Sequence, residues 1–280
     1  MDASEPYPLL YTRTAGQPAI ALTHAGRGEL VLLLHGVGGN RTNWHGQLRA
    51  FAPHFHAAAW DMRGYGTSDA YDGPLSFGDV CDDLLRVMAH FGAKSAHLVG
   101  LSMGGRIAFD FVQRHPGAVR SLTICSALHR ASQMPPERRR EFLDSRLRPL
   151  REGKSLVDIA PAVARTLVSA SAPPGAYEAL VESMRRLQPD GYMKALEAVS
   201  CYEGEIDLGR IQAPTHVIGA VDDSLVHIDA VRAMAARIPA CRLSEIPACG
   251  HLSNLEQADV FNRLALEFLL TQKGAACSTK

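Results

Sequence analysis

The sequence predicts an α/β fold: a mostly parallel, doubly wound sheet interrupted by a helical insertion. Three observations carry that expectation. Short apolar runs end in glycine or aspartate, amphipathic stretches separate them, and one central tract breaks the alternation.

"ELVLLLHG" (29–36) and "SAHLVG" (95–100) are bounded apolar runs of the kind that fill strands buried on both faces, and "FHAAAW" (55–60) is a weaker one ending at Asp61. Between them, "SFGDVCDDLLRVMAHFG" places Val80, Leu84, Val87, Met88 and Phe91 at helical spacing, with Gly92 as a stop signal. After Ser102, Ile107, Ala108, Phe111 and Val112 share a helical face until "RHPG", and "VRSLTIC" (119–125) reads as the next strand. From 128 to 205 the alternation gives way to helices broken at Pro135-Pro136, Pro149, Pro161 and Pro173-Pro174-Gly175. Strand character returns at "APTHVIGA" (213–220) and "CRLSEIP" (241–247). A last helix carries Val260, Phe261, Leu264, Phe268 and Leu269 on one face. The expected organisation is a core built from 1–127 and 206–272, an insertion over 128–205, and a disordered tail over 273–280.

The 280 residues balance 29 Lys and Arg against 29 Asp and Glu, so no long-range field argues for nucleic acid or an anionic membrane. A small-molecule substrate fits better. No basic-then-apolar leader opens the chain, and "LVLLLHGV" is far shorter than the roughly 20 residues a bilayer demands. The expectation is a soluble, cytoplasmic protein. The six cysteines include no CxxC pair and no Cys/His cluster, so reduced structural thiols are expected, and no metal or organic cofactor.

Gly100-Leu-Ser102-Met-Gly104 fits G-x-S-x-G in the strand-then-helix context that motif requires. The glycines allow a turn too tight for side chains, and a serine there projects its hydroxyl at the amino end of a helix. The plainer alternative is a glycine-rich turn without chemistry. A serine hydroxyl is a weak nucleophile near neutral pH, so it needs a base within reach and a group that orients the base.

Twelve histidines compete for the first role. In the motif's usual chain order the acid and then the histidine follow the serine, which leaves His115, His129, His216, His227 and His251. His115 ends a helix, His216 sits inside an apolar strand, and His227 follows Asp222 by only five residues and starts a helix. His251, in "EIPACGHLSNLEQ", follows a strand and a flexible glycine, and is the strongest candidate. For the acid, Asp222 and Asp223 stand directly after a strand and either serves, while no Asp or Glu occurs from 111 to 136. The loop "LLLHGVGGNRTNW" fails the dinucleotide fingerprint because Arg41 occupies the third glycine position. Beside Ser102, the same loop brings the Val37 N–H opposite that of Met103, a pair suited to an oxyanion.

Taken together, "HGVGGN", "DMRGYGTS" (61–68), "GLSMGG", "GAVDD" and "CGHLSNLEQ" occur in family order, and from about residue 20 to 270 the chain resembles the α/β-hydrolase superfamily. The resemblance implies an α/β-hydrolase fold with Ser102 as nucleophile, His251 as base and Asp222 as orienting acid, the last from its Gly-x-x-Asp spacing after Gly219. It also implies that the insertion caps the site. Within the superfamily, "HLVGLSMGGRIAFDFVQRHPGAVRSLTI" and "LQPDGYMKALEAVSCYEGEIDLGRIQAPTHVIGAVDD" look most like the 3-oxoadipate enol-lactonase and carboxylesterase group. Aspartate-dependent dehalogenases and epoxide hydrolases are disfavoured by the serine. Carbon–carbon hydrolases of ring-cleavage products usually carry a proline where this chain has Gly39, and a low-turnover ligand-binding receptor of the same fold is the alternative of another class.

The insertion also holds Arg138, Arg139, Arg140, Arg146, Arg148, Arg151 and Lys154 against Glu141, Asp144 and Glu152. One or two of these cations are candidates to meet a substrate carboxylate, though a solvated helix face is the plainer reading. Trp44 and Tyr192 are candidates either to line the pocket or to pack the core.

Overall fold

The computed structural model describes residues 6–274. Eight strands form one sheet: β1 (Leu10–Arg13), β2 (Ala21–Ala25), β3 (Leu30–Leu34), β4 (His56–Trp60), β5 (Ala96–Leu101), β6 (Val119–Cys125), β7 (Thr215–Ala220) and β8 (Cys241–Ile246). Their spatial order is β1-β2-β4-β3-β5-β6-β7-β8. β2 pairs antiparallel with both β1 and β4, and all pairs from β4 to β8 are parallel. Every residue of β3 and β5 is buried. Because successive side chains point to opposite faces, both faces of the central sheet must be covered.

The cover comes from α1 (His45–Phe51), α2 (Phe77–His90) and α3 (Met103–Arg114), and, after an insertion, from α8 to α10. The insertion contributes α4 (Pro136–Arg151), α5 (Leu156–Arg165), α6 (Pro174–Arg185) and α7 (Pro189–Cys201). The chain returns through α8 (Ile228–Ala235), α9 (Ser253–Glu256) and α10 (Ala258–Gln272). The stripe Val80, Leu84, Val87 and Met88 of α2 is buried, and α2 packs on α3, which lies against β5. At the other end of the chain, α10 buries Phe261, Phe268 and Leu269 and packs on α1.

Parallel pairing sets Leu34 beside Gly100, Leu101 beside Cys125 and Ala220 beside Ile246. The chain therefore leaves β3, β5, β7 and β8 along one edge of the sheet, where ligands collect in open α/β folds.

Two expectations change. The sequence pattern gave no strand before residue 29, yet β1 and β2 extend the sheet there. β1 is an edge strand with hardly any buried side chain, so it lacks the apolar alternation that marks a strand. Pro149 and Pro161 lie inside α4 and α5 rather than between helices. The carbonyl that Pro161 leaves without its i+4 donor belongs to Val157, an exposed residue of the first turn of α5. Of the tail expected over 273–280, Gly274 donates its N–H to Glu29 at 3.2 Å, and 275–280 lie outside the described residues. Among the described residues, no helix is long and apolar enough to cross a membrane.

Candidate active site

Ser102 links β5 to α3 at φ 55° and ψ −116°, a backbone region an L-residue occupies only when its surroundings force it, at a cost of roughly 1–3 kcal/mol. The forcing contacts are explicit. A Cβ on Gly100 would lie 2.4 Å from the Gly104 carbonyl oxygen, and one on Gly104 would lie 2.1 Å from that of Leu34. The turn is thus wedged between its own helix and β3. Ser102 N–H donates to Cys125 O at 2.9 Å, which ties the turn to β6. Its hydroxyl opens into a cavity of about 670 Å³, counted with its open mouth. Among the described residues Ser102 Oγ makes no side-chain hydrogen bond; such bonds often tighten only when substrate arrives.

His251 follows β8 and lines the same cavity. Its Nδ1 lies 2.8 Å from Asp223 Oδ2, and the pair is buried, with the two residues 3% and 2% exposed. The other Asp223 oxygen accepts from the Leu225 and Val226 N–H groups, each at 2.9 Å. Burial alone would raise this carboxyl. The charge and hydrogen bond of His251, with the two backbone amides, outweigh burial and hold it below its ordinary value. An ionised carboxylate on Nδ1 leaves Nε2 as the nitrogen free to take a proton.

The carboxylate that meets His251 is therefore Asp223, where the resemblance implied Asp222. β7 ends at Ala220, and Val221 and Asp222 form the exposed turn that follows. Asp222 gives its N–H to Cys249 O and faces outward, and the next residue is the first whose side chain re-enters the molecule. Counting from Gly219 missed this because Gly219 lies within the strand.

Val37 lines the cavity beside Ser102, and Met103 is the first residue of α3, where a backbone N–H has no intrahelical acceptor. The Val37 loop sits close: a Cβ on Gly36 would lie 3.6 Å from Ser102 Oγ. Side chains the sequence analysis gave no role hold it there. His35 Nε2 accepts from Met62 N–H at 3.1 Å, which makes Nδ1 the protonated nitrogen, and Nδ1 donates to Gly36 O at 2.9 Å. Burial lowers the pKa of His35, which keeps this neutral tautomer. The buried Asp61 carboxylate accepts from the Arg41 and Thr67 N–H groups, each at 2.9 Å, and pairs with the Arg41 guanidinium. The insertion reaches the same loop through Ser183 of α6, whose hydroxyl lies 3.1 Å from Gly38 O and 2.8 Å from Asn43 Oδ1, while Asn40 Nδ2 donates to Ser183 O at 3.2 Å.

Glu256 was also missed. Its carboxylate accepts from Gly250 N–H at 3.0 Å and Leu252 N–H at 3.3 Å, on either side of His251, and from Ser169 N–H of the insertion at 3.0 Å. His251 N–H itself donates to Leu167 O at 2.9 Å. The only sequence signal was an acid five residues after the histidine.

The other histidines lie elsewhere. His115 ends α3, and His227 is the exposed N-cap of α8, beside Arg138. His129 is buried and lines no part of the cavity, and His216 is buried in β7 against Ser244 Oγ at 2.9 Å. Tyr192 lines the cavity with Ser102, whereas Trp44 lines a smaller recess behind the Val37 loop that Ser102 and His251 also border. Among the described residues, no group of three or more His, Cys, Asp or Glu is arranged to hold a metal ion.

Residues 29–258 match the model of the α/β-hydrolase fold family. The chain is 31% identical to a 2-hydroxy-6-oxononadienedioate/2-hydroxy-6-oxononatrienedioate hydrolase of Klebsiella pneumoniae, across 86% of this chain and 87% of that one. It is 28% identical to a protein of Variovorax paradoxus provisionally named carbamate hydrolase RutD, across 86% and 92%. Among solved structures, a malate-bound thermophilic esterase from Thermogutta terrifontis superposes with a TM-score of 0.81 at 27% identity, covering 95% of this chain and 99% of that one.

Proposed function

The chain belongs to the α/β-hydrolase family, and from that premise we propose that it is a serine hydrolase that cleaves a small carboxylic ester or lactone through an acyl-enzyme. The observation that carries the reading is the buried Asp223–His251 pair opening onto the same cavity as a strained, exposed-tip serine.

Ser102 Oγ attacks the substrate carbonyl as His251 Nε2 takes its proton, and Asp223 stabilises the imidazolium that forms. The carbonyl oxygen becomes an oxyanion held by the Val37 and Met103 N–H groups, where loss of one such donor costs about 3–4 kcal/mol. His251 returns the proton to the leaving oxygen as the C–O bond breaks, leaving an ester on Ser102. Water then attacks that ester and gives its proton to His251, which passes it to Ser102 Oγ as the C–O bond to the serine breaks and the acid leaves. In a lactone the leaving oxygen stays tethered, and an enol so released tautomerises to the ketone.

The enol-lactonase-like substrate rests on the sequence segments around Ser102 and Asp223. A second reading, hydrolysis of a carbon–carbon bond, is favoured by the 31% identity to the Klebsiella hydrolase. Gly39 in the oxyanion loop, in place of the proline usual there, speaks for the ester reading. Comparing kcat/KM for an enol-lactone, short p-nitrophenyl esters, a carbamate and a ring-cleavage dienone separates these, and sustained multiple turnover separates an enzyme from a receptor.

Ser102→Ala tests the core of the reading. The wild-type protein should form a covalent adduct with a fluorophosphonate, detected by intact mass, and the variant should form none while keeping its circular dichroism. Ester turnover should fall by roughly 10⁴-fold or more. Labelling of the variant at the wild-type rate would overturn the assignment.

A further inference from the structure

Three arginines line the cavity that Ser102 and His251 share, and they differ in what balances them. Arg139, at the exposed side, pairs with Glu203 at 3.5 Å. Arg106 and Arg146 form no ion pair among the described residues, and no Asp or Glu lines the cavity. Arg106, on α3, donates through Nε to Leu128 O at 3.0 Å and through Nη1 to Val199 O. Arg146, on α4 and 6% exposed, donates to Phe142 O at 3.1 Å, Ser145 Oγ at 3.0 Å and Thr166 Oγ1 at 3.0 Å, with its guanidinium 4.1 Å from the centre of the Phe142 ring.

Carbonyls, hydroxyls and a ring face solvate a guanidinium without neutralising it, and a buried cation without a counter-charge is costly. Burial shows in both groups, lowering Arg106 to about 10 and Arg146 in the same direction. Tyr192, which also lines the cavity, is 1% exposed, and its hydroxyl sits beside the Arg146 guanidinium, itself only a donor, so that its O–H finds no acceptor. Two cations and an unused O–H donor are the complement of a group that is anionic and only accepts: a carboxylate.

We propose that Arg106 and Arg146, with Tyr192, form a receptor for a carboxylate carried by the substrate, so that anionic esters or lactones are preferred over neutral ones of the same shape. This rests on the serine-hydrolase reading above. Arg106 is four residues after Ser102 at the head of α3, one turn along the helix, which sets the carboxylate a short chain away from the scissile carbonyl. Because Arg106 belongs to the core and Arg146 to the insertion, one carboxylate between them also bridges the two.

The test compares mono-p-nitrophenyl glutarate, which is anionic, with p-nitrophenyl hexanoate, its neutral counterpart of similar length. The wild-type enzyme should favour the glutarate ester at least tenfold in kcat/KM, and Arg146→Gln or Arg106→Gln should shrink that ratio by about ten- to a hundredfold, as expected for a charge-assisted hydrogen bond. On wild-type protein alone, free glutarate should inhibit hexanoate ester hydrolysis at a concentration at least tenfold lower than glutaramide. Equal rates on the two esters, a ratio unchanged in folded variants, or equal inhibition by glutarate and glutaramide overturns the carboxylate receptor and leaves the serine hydrolase standing. If neither ester turns over and Ser102 takes no phosphonate, the serine-hydrolase reading falls and takes this proposal with it.

Discussion

The sheet edge and the helical insertion meet at one cavity, yet they treat charge in opposite ways. On the sheet edge, Asp223 faces His251 and two backbone amides, and Asp61 faces Arg41 and two more. Where the insertion faces α3, Arg146 has only carbonyl, hydroxyl and ring neighbours and Arg106 only carbonyls. Groups that act on any substrate are balanced before one arrives. The group that selects the substrate is left for the substrate to balance.

The sharpest way to break that contrast is at the paired aspartates. Asp223→Asn should lower kcat on esters by about 10⁴-fold, the scale seen when a triad carboxylate becomes an amide and the histidine takes the wrong tautomer. Asp222→Asn should change kcat by less than about twofold, as a surface substitution away from the site. A larger loss in Asp222→Asn than in Asp223→Asn would return the acid to Asp222.

A second test concerns the balance of buried titrating groups. His216 in β7 and His129 at the start of the insertion are each lowered to about 4, first by burial and then by neighbouring arginines. Their folded pKa lies below the unfolded value of about 6.5, so the unfolded chain binds more protons between the two. The stabilisation is complete above pH 6.5 and is lost as pH falls toward 4, by roughly 3 kcal/mol for each group. Urea midpoints measured from pH 7 to pH 4.5 should fall accordingly, and His216→Gln should flatten the curve.

The smallest effect is expected at the seam. Glu256→Gln removes the charge that holds the amides on both sides of His251 and should lower kcat about 10- to 100-fold, with Ser102 still phosphonylated. An unchanged kcat would make Glu256 a purely structural residue.

The same contrast explains what was legible in the sequence. β3 and β5 are buried on both faces, so burial wrote continuous apolar runs, and the turn at Ser102 stood out because positions 100 and 104 admit only glycine. The carboxylate beside His251 lies one residue past the one the resemblance implied, since the Asp222 N–H bond to Cys249 O holds Asp222 in the exposed turn after β7, which composition does not encode. β1 left no alternation because its edge position buries almost nothing. Arg146 was only one cation in a basic cluster. Its burial depends on how α4 meets Thr166 and Tyr192 in space, and no periodicity along the chain encodes that.

Ser183 and Ser169 bind the insertion to the two loops that carry the chemistry: Ser183 reaches Gly38 and Asn43, and the Ser169 N–H reaches Glu256. The helical tract is thus not an interchangeable module. A chimera that takes these helices from a relative, with crossover points after β6 and before β7, strips both loops of their braces while leaving Ser102, Asp223 and His251 in place. Such recombinants should lose rate before they gain a new preference, unless 36–43 and 250–256 travel with the helices as one inherited block.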